Sequence, residues 1–221
     1  MRNGLLRFCA AVIVVLGIAG LAASRQGGGN AGAGTAAGAA AAPRGNAPAA
    51  PAPRLTLTSP SFQDYGVLPL KYAPNAASMV TFDAPSPPLA WSNPPAGTVS
   101  YALTMTDMEG SSGGYPQDVL LWMVVNMPNN ANSRLLAEGI QRGRTSMLPE
   151  GAFQRSFLTN GYIGPQPGAN VGSHHYLFEL FALNTMLDVP RDVTLEQLRT
   201  AMNGRQTGRV ALIATCCVGS K

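Results

Sequence analysis

"SPPLAWSNPPAGTVSYALTMTDMEG", residues 86–110, joins a proline-rich stretch to an apolar run that closes on two acids. Each X-Pro step biases the residue before the proline towards extended geometry, so the stretch reads as a rigid, irregular approach to a sheet. The run VSYALTMT (99–106) then has the length and composition of a strand that ends at Asp107 and Glu109. In an extended chain, residues i and i+2 lie on the same face. Both carboxylates are therefore able to point into one pocket. The plainer reading of these residues is two solvated acids at a strand end.

Outward from this stretch the chain keeps the same character. LTLTS (55–59), SMVTF (78–82), VLLWMVVNM (119–127), HYLFELFAL (175–183) and RVALIATC (209–216) are short runs rich in β-branched and aromatic residues. Pro, Gly and Asn turns separate them. Two helical pieces are predicted. One is a short turn around Asn132–Glu138. The other opens on Thr194-Leu195-Glu196-Gln197, which has capping-box spacing; Leu195, Leu198 and Met202 share a face, and Gly204 stops it. Few helices fall between consecutive strands, so the sheet is expected to be antiparallel rather than parallel. The fold class is mainly β.

The N-terminal quarter is of a different kind. Arg2 and Arg7 precede an uncharged run, FCAAVIVVLGIAGLAA (8–23), which ends in small residues. A basic start, a short apolar core and an Ala-rich end read as a signal peptide over 1–23, and the chain is expected to be exported, to a periplasm or beyond. The run is shorter than the ~20 residues of an ordinary span; an uncleaved anchor is the alternative, and would be the chain's one link to a membrane. Cys9 stands at the start of the apolar run rather than after it, so it does not resemble a lipidation site. In residues 24–53, 23 of 30 are Ala, Gly or Pro. Such a segment has almost nothing to bury and reads as a flexible linker spanning on the order of 30 Å. The folded domain is left to residues 55–221, a suitable length for one domain.

Charge follows these boundaries. The whole chain is +4, with 15 basic and 11 acidic residues, but five of the basic residues precede Leu55 and all 11 acids follow it. The domain is thus close to neutral. It lacks the basic face of a nucleic-acid binder, and no nucleic-acid partner is expected.

The chemistry-bearing residues are few. The stretch "NGYIGPQPGANVGSHHY" (160–176) holds both histidines of the chain, His174 and His175, at the end of a Gly/Pro/Asn loop. Such a loop brings main chain and its N–H groups close to a ligand. If a strand starts there, His174 and Tyr176 share a face and His175 takes the other, so the pair does not supply two ligands to one ion. Cys216 and Cys217 are adjacent near the C-terminus. Strand neighbours point to opposite faces, which favours one buried and one exposed thiol over a vicinal disulfide or an intermolecular bridge. No Cys/His spacing of the metal-binding kind appears, and neither metal nor cofactor is expected. No nucleophile motif such as G-x-S-x-G is present.

Taken together, the domain resembles the phosphatidylethanolamine-binding protein family, in particular its bacterial, Raf kinase inhibitor-like branch. The matching segments occur in family order: "LTSPSF" (57–62), "LPLKYAP" (68–74), "SPPLAWSNPPAGTVSYAL" (86–103), "TDMEGS" (106–111), "LLWMVVNMP" (120–128), "GYIGPQPG" (161–168) and "SHHYLFELFALN" (173–184). The resemblance implies a large central antiparallel sheet, a smaller second sheet and a few peripheral helices. It also implies a small surface pocket for phosphate or a phospholipid head group. By the same resemblance Asp107 and Glu109 are its acids, His174 its loop histidine, Tyr176 its tyrosine and Gly164 its loop glycine. A second pocket histidine of the family falls on Leu121, and both prolines of its acidic motif are replaced, by Met108 and Ser111. The pocket is thereby less polar and short of one donor suited to phosphate.

The function this implies is a non-catalytic, exported binding module for a small anionic or phospholipid-like ligand. Histidine ordinarily gains its proton near pH 6.5, so anion binding is expected to strengthen as pH falls. The alternative is a regulatory module that contacts another protein, such as a secreted hydrolase or a kinase-type partner. A third reading is a hydrolase or metal-dependent enzyme that uses Asp107, Glu109 and His174.

Overall fold

The computed structural model describes residues 53–74, 84–112, 115–116, 118–166 and 172–217. The expected signal peptide, all of the linker but its last residue, the strand expected at 78–82 and part of the Gly/Pro-rich loop lie outside these residues. Among the described residues, no helix is long and apolar enough to cross a membrane.

The strands in chain order are β1 (Thr56–Thr58), β2 (Gly66–Val67), β3 (Leu89–Ser92), β4 (Ser100–Asp107), β5 (Ser111–Ser112), β6 (Tyr115–Pro116), β7 (Val119–Pro128), β8 (Leu135–Leu136), β9 (Phe153–Arg155), β10 (His174–Leu183) and β11 (Gln206–Cys216). Among the described residues there is a single α-helix, α1 (Leu195–Met202), which precedes β11. The main sheet has the order β2-β11-β10-β4-β7-β9, and a smaller sheet has the order β1-β3-β8; β5 and β6 pair only with each other. All pairings are antiparallel except that of the two-residue edge strand β2 with β11.

Every residue of β4 is buried, because both faces of the main sheet are covered. That is why its apolar run does not alternate with polar residues. On one face Leu103, Met105, Phe178, Leu180 and Leu212 meet Leu57, Leu89 and Trp91 of the smaller sheet. On the other, Ala102, Met123, Val125, Phe181 and Leu183 meet Leu198 and Met202 of α1. The helix forms where the spacing predicts it. The Thr194 hydroxyl accepts the Gln197 N–H, and the Gln197 side chain accepts the Thr194 N–H. Gly204, at φ +71°, reverses the chain into β11.

Three local expectations are corrected. The proline-rich approach to β4 is not wholly irregular: Leu89–Ser92 forms β3, the middle strand of the smaller sheet. The helical piece at Asn132–Glu138 is a 3-10 turn at Ala131–Ser133 followed by β8. There the pairing of Leu135 and Leu136 with β3 overrides local preference. Finally, Cys216 and Cys217 are joined as a vicinal disulfide. The opposite-face argument fails because β11 ends at Cys216 and Cys217 turns away at φ +65°.

Candidate functional site

Register assembles the site. Tyr176 lies directly opposite Asp107 in the β10–β4 ladder, and His174 lies opposite Cys216 in the β10–β11 ladder. His174 and Tyr176 are two apart on β10, so they share the face that carries Asp107. The imidazole Nδ1–H of His174 donates to the Asp107 carboxylate, at 2.9 Å from Oδ1 and 2.8 Å from Oδ2. Both side chains are largely buried, at 15% and 10% exposure. The His174 ring stacks near the Tyr176 ring, with centroids 6.4 Å apart. With Nδ1 held by Asp107, Nε2 is the ring atom left for a ligand.

Glu109 reaches the same place by another route. β4 ends at Asp107, whose Oδ1 accepts the Glu109 N–H at 3.0 Å. This is a carboxylate turn of the kind aspartate favours. The chain therefore bends where extended geometry was expected to continue. The Glu109 carboxylate accepts the His175 main-chain N–H at 2.7 Å and lies 2.6 Å from His175 Nδ1. Burial pushes this carboxyl up, but the His175 N–H, its ring and the nearby imidazole charge outweigh burial, and the net shift is down. Acceptor oxygens of Asp107 and Glu109 and a ring nitrogen of His174 all lie within 4.8 Å of one another.

The Tyr176 hydroxyl is buried and has no hydrogen-bond partner. Burial comes first in pushing its phenol far up, followed by the negative charges of Asp107 and Glu109. It therefore remains a protonated donor beside the carboxylates.

The remaining residues predicted for the site are Leu121 and Gly164. Leu121 is 5% exposed and belongs to the core cluster that includes Tyr176. It is the extra residue of a β-bulge: Met105 faces Trp122 and Thr106 faces Leu120, leaving Leu121 unpaired with β4. Its carbonyl accepts the Ile163 N–H at 3.0 Å, which fastens the segment carrying Gly164. At Gly164 a Cβ would lie 2.5 Å from the Tyr72 carbonyl oxygen and 2.6 Å from Pro74 Cδ. Close backbone packing requires glycine there. Sequence reasoning missed the Glu109–His175 pair and the place of Cys216 opposite His174. Each joins residues distant along the chain, and no local spacing marks them. It also missed a cavity of about 260 Å³ on the other face of the sheet, walled by Leu120, Arg155, Phe157, Val193 and Leu195.

A family model described as phosphatidylethanolamine-binding protein matches residues 58–217, the span that contains every residue of the site. The chain belongs to the phosphatidylethanolamine-binding protein family. Among the relatives of this family member, a "UPF0098 protein" of Methanothermobacter thermautotrophicus is 32% identical over 162 residues, which cover 72% of this chain and 96% of the relative. "Putative lipoprotein LppC" of Mycobacterium tuberculosis is 30% identical over 168 residues and 75% of each chain. Among solved structures, a phosphatidylethanolamine-binding protein homologue of Chlamydia trachomatis superposes with a TM-score of 0.62 at 28% identity, over 75% of this chain and 99% of that one. Escherichia coli YbcL superposes with a TM-score of 0.65 over 76% and 100%; at 24% identity it speaks to the fold alone. The mainly β, two-sheet architecture is that of the family.

Proposed function

We propose that this family member is an exported, non-catalytic binding module whose site takes a small phosphate-bearing ligand, such as a phospholipid head group. One observation carries the reading: a protonated, unpartnered Tyr176 hydroxyl sits beside the His174–Asp107 pair. Tyr176 O–H and His174 Nε2 are donors of the kind a phosphate oxygen seeks, more strongly when the imidazole is charged. Asp107 and Glu109 suit an ammonium group, so a zwitterion such as O-phosphorylethanolamine fits the charge arrangement better than bare phosphate. Export rests on the basic-then-apolar N-terminus and on the lipoprotein name of the mycobacterial relative.

The test is an NMR titration of the full-length protein with phosphate and with O-phosphorylethanolamine, read on the two imidazoles. Saturable movement of His174, with His175 moving less and His174→Ala abolishing binding, is expected. No response from either histidine up to tens of millimolar ligand overturns the reading.

A second reading, a module that docks on another protein, is favoured by one feature. Tyr65, Val67 and Leu70 are 70–73% exposed along the β2 edge of the main sheet. β2 pairs with β11 at Ala214 and Thr215, next to Cys216, so this apolar patch borders the site.

A further inference from the structure

Two carboxylates meet in this site, and among the described residues their ionic partners are imidazoles rather than lysine or arginine. Asp107 and Glu109 thus bring two carboxylates together in a half-buried corner. Charges so placed call for a positive counterpart.

We propose that Asp107, Glu109 and His174 together hold a divalent transition-metal ion. The geometry comes first. Metal–ligand bonds to carboxylate oxygen and imidazole nitrogen are about 2.0–2.2 Å, so two ligands of one ion stand at most roughly 4.4 Å apart. The three donor atoms already lie within 4.8 Å of one another, so small rotamer changes close the site, and an ion bound at His174 Nδ1 displaces the proton that this atom gives to Asp107. The donor set comes second. Two oxygens and one imidazole nitrogen suit Zn²⁺, Fe²⁺ or Mn²⁺, whereas Ca²⁺ and Mg²⁺ prefer oxygen alone. Support of the ligands comes third. The Glu109 carboxylate is oriented by the His175 N–H and ring, the kind of outer contact that holds metal ligands in place.

An independent observation points into the same corner. The Tyr176 hydroxyl is fully buried and without a hydrogen-bond partner, and Tyr176 stands directly opposite Asp107 in the β10–β4 ladder. Buried hydroxyls are normally hydrogen-bonded. A water or anion oxygen on an ion held by Asp107, Glu109 and His174 is the acceptor this hydroxyl lacks. The sequence hid the cluster because its donors come from the end of β4, the following turn and the start of β10. Metal-binding spacing along the chain is therefore absent.

The inference uses the same corner as the phosphate reading but does not depend on phosphate binding. An ion there would add the positive charge that a phosphate group needs. The experiment separates the two. Full-length untagged protein, with Cys216 and Cys217 kept oxidised and stripped by chelator, is titrated with Zn²⁺ by calorimetry and with Co²⁺ by visible absorption; phosphate is then titrated with and without metal. One ion per chain is expected, displaced little by excess Ca²⁺. Asp107→Asn and His174→Ala should each weaken binding by at least tenfold, with ligand-field bands lost. Glu109→Gln, at an exposed position that keeps the fold, should weaken it about tenfold, in the range of metal-site substitutions. Absence of 1:1 binding, or binding indifferent to all three substitutions, overturns the metal site. Phosphate bound without metal then leaves the head-group reading standing alone. Metal bound without phosphate keeps the metal site and removes that reading.

Discussion

At the scale of single residues, Tyr176 is the most informative. A hydroxyl buried without a partner costs roughly 1–3 kcal/mol, and the fold keeps it at 0% exposure. Tyr176→Phe is therefore expected to leave the melting temperature unchanged or to raise it, while phosphate affinity falls about fivefold, the loss of one hydrogen bond of ~1 kcal/mol. Thermal melts beside a phosphate titration check both halves; a fall in stability with unchanged affinity would assign the hydroxyl to packing. Alternation along a strand was enough to put His174 and Tyr176 on one face. It was not enough for Glu109, because the Asp107 side chain captures the Glu109 N–H and ends the strand. That competition depends on where β4 stops, and β4 stops at Asp107, the last residue paired with both β7 and β10.

At the scale of elements, the segment 161–166 shows how packing decides identity. Gly164→Ala brings a Cβ against main chain and a proline ring, neither of which yields cheaply. A destabilisation of about 1–3 kcal/mol is expected, as for other overpacked cores. Gly172, two residues before β10, has nothing within 4 Å of its would-be Cβ, and Gly172→Ala is expected to stay within about 0.5 kcal/mol of the parent. Urea unfolding of the two variants side by side makes the comparison. The sequence singled out Gly164 through family resemblance, yet its reason, the closeness of the Tyr72 carbonyl, belongs to a contact between segments about ninety residues apart. Conversely, α1 was fully legible, because a capping box is made by residues three apart.

At the scale of the whole molecule, the N-terminal segment of the domain is tied to the loop after β8 by a small network. Lys71 Nζ donates to Glu138 at 2.8 Å, the Tyr72 hydroxyl donates to the other Glu138 oxygen at 3.1 Å, and that hydroxyl also bonds Ser61 at 2.6 Å. The Lys71 hydrogen bond holds the Glu138 carboxyl below its ordinary range, with Tyr72 helping against a smaller opposing effect of burial. A carboxyl whose folded pKa is lowered contributes stability that is present above its unfolded pKa and is lost as pH falls through the folded one. The melting temperature of Glu138→Gln should thus lie slightly below the parent at pH 7. The gap should close as pH drops below about 4, near and under the ordinary glutamate pKa. The ion pair is exposed on both sides, so the effect is small and should shrink further in high salt. A gap that persists at pH 3 would show that glutamine fails there for reasons other than charge.

The sequence by itself determined the mainly β class, the central strands β4, β7, β10 and β11, the capped helix and the common face of His174 and Tyr176. These rest on periodicity, turn residues and caps, which act over a few residues. It also marked the boundary near residue 54 through composition and charge, although most of what precedes that point lies outside the described residues. Only the tertiary structure decided that Leu89–Ser92 and Leu135–Leu136 are strands, that Leu121 sits on a bulge and that Glu109 turns back onto His175. It alone set His174 opposite Cys216 and drew three metal-type donors within 4.8 Å. Those facts follow from strand register, which is fixed by burial summed over both faces of a sheet and has no local signature in the chain.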